Sequence, residues 1–237
     1  MVRRGYVPSD QKDFDTSKLS LLKQAAEDIC LMINRGYSIK SVSTFVGNHY
    51  LLSERQRLAL VRSIATDAAL KVRETKRVRG KVKGETVYID GLNLIITLEV
   101  FLSDSTLIKG MDGTIRDLAG LRGTYKLIDK TDIAIRLIGE ALERLQVGKA
   151  KFYLDAPVSN TGRLKMRIIE LLSSFGFELE IELVPNADVL LVKQENVITS
   201  DAIILDGCKS WINLGAEIIE NEYKQSQRVI PEPIKLF

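Results

Sequence analysis

Histidine is all but missing from this chain: among 237 residues there is one, His49, in Asn48-His49-Tyr50. Chemistry built on a pair of histidines is thereby excluded, and the triplet reads as a turn between helices. Cysteine is nearly as scarce. Cys30 and Cys208 lie far apart, with no second thiol or imidazole at metal-ligand spacing. That excludes a zinc ribbon or finger and argues against a structural disulfide; both read as ordinary thiols, buried or half-buried. Long apolar runs are absent too, since Leu92 to Leu102 is broken by Glu99 and is far too short to span a bilayer. Met1-Val2-Arg3-Arg4-Gly5-Tyr6 leads straight into polar sequence without the pattern of a secretory leader. A cytoplasmic protein with no membrane partner is expected. The phosphate-binding P-loop, the dinucleotide glycine fingerprint and the serine elbow are likewise lacking, as are internal repeats and low-complexity tracts.

What is present is ordinary in bulk and uneven in distribution. An apolar share of 45% with 27% charged residues is that of a globular protein, and the length supplies core for one large domain or two unequal ones. The net charge of +3 hides an asymmetry. Residues 1–83 hold 17 Lys and Arg against 8 Asp and Glu, whereas residues 84–237 hold 17 against 23. A basic first third beside an acidic remainder fits a polyanion-contacting module joined to a cation-binding one, although helical surfaces also carry Lys and Arg for solubility alone.

Residues 1–16 read as a loosely held arm. Helical spacing follows from Leu19 to Ile33, ending at Arg35-Gly36. Ser38 can cap a second helix through Val46, stopped by Gly47-Asn48, and Ser53 with Gln56 forms a capping-box pattern for a third, whose apolar face runs from Leu58 to Val72. Three such helices resemble a helix-turn-helix in outline only; Ser53, Glu54, Arg55, Gln56 and Arg57 read equally as a solvated face. The basic stretch Lys71 to Lys83 reads as helix end and linker, and its Lys71, Arg73, Lys76, Arg77, Arg79, Lys81 and Lys83 are phosphate-contact candidates. From residue 85 strands alternate with helices: Glu85–Asp90, Thr106–Lys109, Ala150–Asp155, Phe177–Val184 and Val197–Thr199 against Leu92–Leu102, Asp132–Leu145, Thr161–Ser174, Asp188–Gln194 and Ser210–Tyr223. The expected fold is α/β: a small all-helical domain with its linker over residues 1–83, then a mainly parallel sheet flanked by helices over residues 84–237. Pro231 to Phe237 reads as an extended strap, and Trp211 and Tyr223 as packing for the last helix.

Aspartates punctuate the second part where strands end. Asp90 closes Val87-Tyr88-Ile89, Asp155 follows Lys151-Phe152-Tyr153-Leu154, Asp188 follows Pro185-Asn186-Ala187, and Asp201 follows Val197-Ile198-Thr199-Ser200. Strand carboxyl ends share one edge of an open α/β sheet, where ligands bind, and converging carboxylates need a cation. Hard divalent ions take oxygen ligands, and Mg²⁺ keeps waters for substrate phosphates while using one or two carboxylates. Asn93, three residues past Asp90, is placed to orient a phosphate or water. For each acid the plain alternative is a helix cap, and Asp112 in Gly110-Met111-Asp112-Gly113 reads first as a turn. In Asp155-Ala156-Pro157-Val158-Ser159-Asn160-Thr161-Gly162-Arg163 the hydroxyls, the amide and Arg163 stand at a helix start, where anions bind.

Ile89-Asp90-Gly91-Leu92-Asn93, Ala187-Asp188 and Ile198-Thr199-Ser200-Asp201 together resemble the PIN-like superfamily of metal-dependent nucleases over roughly residues 85–223. The whole chain also resembles an archaeal and bacterial domain-of-unknown-function family, through Ala25-Ala26-Glu27-Asp28, Asn34-Arg35-Gly36-Tyr37, Val46-Gly47-Asn48 to Gln56-Arg57-Leu58, and the Asp155–Arg163 loop. The PIN-like likeness implies Mg²⁺ or Mn²⁺ held by Asp90, Asp188 and Asp201, with Ser200 or Thr199 and Asn93 supporting. The further acid on an early helix is open among Asp112, Asp117, Asp132 and Glu140, with Asp155 as a spatial substitute. The activity expected is divalent-metal-dependent phosphodiester hydrolysis, of RNA in the first place, with Asp90, Asp155, Asp188 and Asp201 catalytic and metal-binding. Asn93, Ser159, Asn160, Thr161, Arg163 and Ser200 would hold the substrate. The alternatives are a non-catalytic nucleic-acid-binding protein, a binder of a small phosphorylated ligand at Ser159–Arg163, and a scaffold component; the sequence leaves room for an oligomer.

Overall fold

The computed structural model describes residues 2–120, 123–225 and 232–237. The chain opens with helices alone: α1 (Asp10–Asp13), α2 (Thr16–Asn34), α3 (Ile39–His49), α4 (Glu54–Ser63) and α5 (Asp67–Lys76). Local chemistry sets their ends. Asp15 caps α2 through the amides of Ser17 and Lys18, Ser38 caps α3 through Ser41, and Ser53 with Gln56 completes the expected capping box on α4. Two boundaries differ from the sequence reading. α3 runs past Gly47-Asn48 because Arg57 holds its last turn from outside, donating to Leu52 O and Asn48 Oδ1 at 2.9 Å. A Cβ on Gly47 would lie 2.7 Å from that guanidinium. The segment from Ser53 to Val72 is two helices, since Thr66 accepts from Ala69 N and starts α5 afresh. The carbonyls of Arg62 and Ser63 at the break take bonds from Arg116 and from the Met111 amide.

The second part holds β1 (Thr86–Asp90), α6 (Gly91–Leu102), β2 (Leu107–Lys109), β3 (Ile115–Asp117), α7 (Thr131–Arg144), β4 (Lys149–Asp155), α8 (Thr161–Leu172), β5 (Glu178–Val184), α9 (Ala187–Leu191), β6 (Val197–Ile198), α10 (Ala202–Gly207), β7 (Trp211–Ile212), α11 (Leu214–Gln225) and β8 (Ile234–Lys235). Five strands form an all-parallel sheet in the order β5-β4-β1-β6-β7. Alternation decides the two faces. Val87, Ile89, Ala150, Phe152, Leu154, Ile198 and Ile212 join α6, α7, α8 and α11 in the main core, while Tyr88, Tyr153, Val197 and Trp211 pack with α9 and α10 on the other side. Over β4 and β5 that second face carries ion pairs instead, Lys149 and Lys151 bridging Glu178, Glu180 and Glu182. Among the described residues no helix is long and apolar enough to cross a membrane.

β3, α10 and β7 are additions to the sequence reading. Trp211 belongs to β7 rather than to the last helix; it is fully buried and its Nε1 donates to Arg73 O at 2.7 Å. The basic linker is built into the structure as well, with Val78 N donating to Trp211 O beside the sheet. Nor is the N-terminal arm loose. Glu99, alone in an apolar helix, is wholly buried and requires a cation; Arg4 supplies it, Nε donating to Glu99 Oε2 at 2.8 Å. Tyr125 and Thr131 also donate to Glu99. The tail does act as a strap. β8 pairs with β2, and Leu236 enters the core of the helical unit beside Leu22, Ile29 and Leu60; Pro231, named with that strap, lies outside the described residues.

Candidate active site

β1 is central, and the chain leaves it toward β4 and β5 on one side, then returns to β6 on the other. That reversal between β1 and β6 is a topological switch point, outside whose carboxyl ends open α/β sheets take their ligands. Asp90 is the last residue of β1 and Asp155 the last of β4, Asp188 lies in the first turn of α9 after β5, and Thr199-Ser200-Asp201 leave β6. All four expected aspartates therefore stand at one edge.

Asp90 occupies the residue before α6 yet makes no capping bond. Its buried Oδ2 accepts a 2.8 Å bond from Thr199 Oγ1, and the same Thr199 oxygen accepts from Asp201 N at 3.0 Å. Gly91 is needed for close approach rather than for a turn: a Cβ there would lie 2.6 Å from Leu154 Cδ2 and 3.2 Å from Tyr153 O. One turn on, Asn93 Oδ1 accepts from Ser200 Oγ at 2.7 Å and from Ser200 N at 3.3 Å. Asp201 caps α10 through Ile203 N and Ile204 N, and Asp155 Oδ1 accepts from Ala187 N at 2.8 Å. Capping thus describes Asp155 and Asp201 but not Asp90.

Among the described residues none of the four carboxylates is in an ion pair. Burial pushes Asp90 up to about 7; Thr199 pulls the other way, and Asp188, Asp201 and Asp155 add to the rise. Asp188 is raised by burial and then by Asp201 and Asp155. Charging this edge is costly because burial disfavours the ionised form and the neighbouring acids repel one another. Among the described residues no three His, Cys, Asp or Glu side chains are grouped closely enough to enclose a metal ion.

The candidates for a further acid stand elsewhere. Asp112 makes the expected turn, accepting from Thr114 N, and is buried between Arg73 and Arg116 at 2.6 and 2.5 Å. Asp117 faces Arg62 at 3.5 Å and accepts from Thr97 and Ala119 N. Asp132 pairs with Arg167, and Glu140 is exposed on α7. In the Ser159–Arg163 loop, Ser159 Oγ accepts from Tyr125 N, Asn160 Nδ2 donates to Tyr125 O at 2.7 Å, and Thr161 Oγ1 donates to Val158 O. Ser159 and Asn160 thus fasten the 123–125 segment, and Arg163 stands exposed together with Ser159 and Gly162. Of the basic linker, Arg73 is buried and Arg79 pairs with Glu74, leaving Lys71, Lys81 and Lys83 exposed.

The sequence reading missed Arg116 beside the acids and took Arg73 for a phosphate contact. Arg116 Nε donates to Ser200 O and its Nη1 to Arg62 O, both at 2.7 Å. Arg73 Nε reaches Asp206 of α10 at 2.7 Å. With Asp112 between them, they clamp the β6–α10 loop to the helical unit. The signal was there in Asp112-Gly113 flanked by short apolar runs, which marks a hairpin. Next to this clamp a cleft of about 450 Å³ opens, lined on one side by Arg62 and Ile64 of the helical unit and on the other by Asn93, Ser200 and Asp201.

A helical unit followed by an α/β unit built on a five-stranded parallel sheet with an acidic switch point is the class that fold and site define. Residues 79–217 match the family described as Domain of unknown function (DUF5616), and residues 21–76 match Protein of unknown function (DUF434). The chain belongs to this DUF434–DUF5616 family. It is 38% identical over 202 residues to "Uncharacterized protein MJ0935" of Methanocaldococcus jannaschii, a match covering 84% of this chain and 97% of that protein. No solved structure matches the chain significantly.

Proposed function

We propose that the acidic edge serves divalent-cation-dependent hydrolysis of a phosphodiester, RNA before other nucleic acids, in the cytoplasm. The observation that carries this reading is the set of four aspartates at the switch point with no cationic partner among the described residues, two of them raised by burial and by one another. The PIN-like motifs Ile89-Asp90-Gly91 and Thr199-Ser200-Asp201 agree with it.

The donor set suits a hard ion: carboxylate, hydroxyl and amide oxygens, with both cysteine thiols elsewhere. Since no three acids among the described residues enclose a site, the fit is to Mg²⁺ or Mn²⁺ carried by one or two carboxylates, Asp90 foremost, with Asp201, Asp188 and Asp155 around it. Such an ion supplies charge neutralisation at the phosphate and acidifies water. The chain does the rest. Thr199 fixes the Asp90 carboxylate for the ion, Ser200 turns Asn93 so that its Nδ2 is left as a donor, and Asp188, whose carboxylate is raised by burial and by its acidic neighbours, would accept the attacking water's proton. A second reading, nucleic-acid binding without hydrolysis, draws on the capping by Asp155 and Asp201.

The test is cleavage of a labelled RNA with Mn²⁺ against EDTA. Asp90→Asn is expected to lower the rate at least about 100-fold; an unchanged rate, or cleavage that persists in EDTA, overturns the reading.

A further inference from the structure

We infer that the cleft between the helical unit and the acidic edge is a binding subsite for one unpaired nucleotide of a nucleic-acid strand. The inference rests on the nucleic-acid part of the proposed function and is independent of hydrolysis. At about 450 Å³ the cleft has the capacity of a single small-ligand pocket; a base pair with both its backbones does not enter it.

Its chemistry divides as a nucleotide does. Arg73 and Arg116 line it, but every guanidinium nitrogen of both already donates within the chain. Arg62 differs. Only its Nη1 is engaged, by Asp117, and Nε and Nη2 have no partner among the described residues. Across the cleft Ser200 holds Asn93 Oδ1 and leaves the Asn93 Nδ2 donor free. An arginine fork and an amide N–H together suit a phosphate oxygen. Of the remaining lining, Ile64, Ile96 and Ile203 are aliphatic, while Asp117, which faces Arg62, and Asp201 are acidic. Ile203 is 67% exposed at the rim and is suited to the face of a base. Asp201 lines the cleft and also neighbours Asp90, so a strand held here presents its next phosphate to the acids. The helical unit then furnishes a wall of the site, through α4, rather than a separate recognition helix. Arg55, Gln56 and Arg57, at the start of that helix, are bonded inside the protein.

Binding is measured by fluorescence anisotropy on the full chain in EDTA, with a labelled ten-nucleotide single strand, a blunt duplex of the same sequence, and adenosine monophosphate as competitor. The single strand is expected to bind, more weakly as salt rises. Arg62→Ala is expected to weaken it about tenfold, with Arg62→Lys between. Ile203→Glu, at an exposed position that folding does not depend on, is expected to weaken it comparably. Arg144→Ala, at an exposed basic residue on α7, should change nothing. Equal affinity for the blunt duplex, competition by the mononucleotide as strong as by the strand, or a loss seen with Arg144→Ala and not with Arg62→Ala each overturns the inference. If Arg62-dependent binding persists while no Mn²⁺-dependent cleavage is found, the cleft stands and the hydrolase reading falls. Asp90-dependent cleavage that Arg62→Ala and Ile203→Glu leave untouched removes the cleft and keeps the hydrolase.

Discussion

Thr199 Oγ1 donates to Asp90 Oδ2 at 2.8 Å across neighbouring strands, and through Asp201 N at 3.0 Å the same hydroxyl ties both carboxylate-bearing segments together. This bond resists the ionisation penalty on Asp90 without cancelling it. Folding raises the group from 3.8 to about 7, so between those values the folded chain keeps a proton that the unfolded chain has released. The proton-linked stability is complete below about pH 3.8 and is lost as pH rises through 7. Asp90→Asn should therefore match the parent near pH 4 and exceed it at pH 8 by about 4 kcal/mol, read by urea denaturation. A variant less stable at pH 8 would contradict the buried, unpaired placement of this acid.

Asp112 is expected to matter to the site without touching it. Its side chain is 1% exposed and sits between Arg73 and Arg116. Asp112→Ala leaves two buried guanidinium groups facing each other and should cost about 3–5 kcal/mol. Hydrogen exchange in Ser200–Ile204 should quicken at the same time, because Arg116 no longer holds Ser200 O. Unchanged protection there would disconnect the clamp from the site.

The Arg4–Glu99 pair offers a matched test of the N-terminal arm. Arg4→Ala strands a fully buried carboxylate and is expected to cost about 3 kcal/mol or more. The double change Arg4→Met with Glu99→Leu should recover most of it. If the double variant is as unstable as the single one, the arm contributes by packing and not by charge.

How far the sequence foretold this molecule depends on the distance over which each feature is decided. Caps at Ser38 and Ser53 and the strands β1, β4 and β5 follow from short patterns, and each stands where those patterns put it. The four aspartates were legible for the same reason, each ending a recognisable run. β7 has two residues and owes its existence to neighbours, including Val78 from the linker, so no local pattern reports it. The burial of Arg4 and Arg73 was hidden because a basic residue reads as solvent-facing unless its partner, here Glu99 or Asp112, is known to be buried. The Ser159 and Asn160 groups looked available for an anion because their true partners, at Gly123 and Tyr125, lie more than thirty residues away.

Removal of the tail tests the strap. Ending the chain before Pro233 deletes β8 and withdraws Leu236 from the core it shares with Leu22 and Leu60. A loss of about 2–4 kcal/mol is expected, with faster exchange in β2. A truncated chain of full stability would show Leu236 to be dispensable.

The most direct measurement of the central idea is a Mn²⁺ titration followed by electron paramagnetic resonance, on the parent chain and on Asp90→Asn. One saturable ion per chain, displaced by excess Mg²⁺ and lost or strongly weakened in Asp90→Asn, is the predicted outcome. Absence of saturable binding, or binding that the substitution leaves intact, would contradict it.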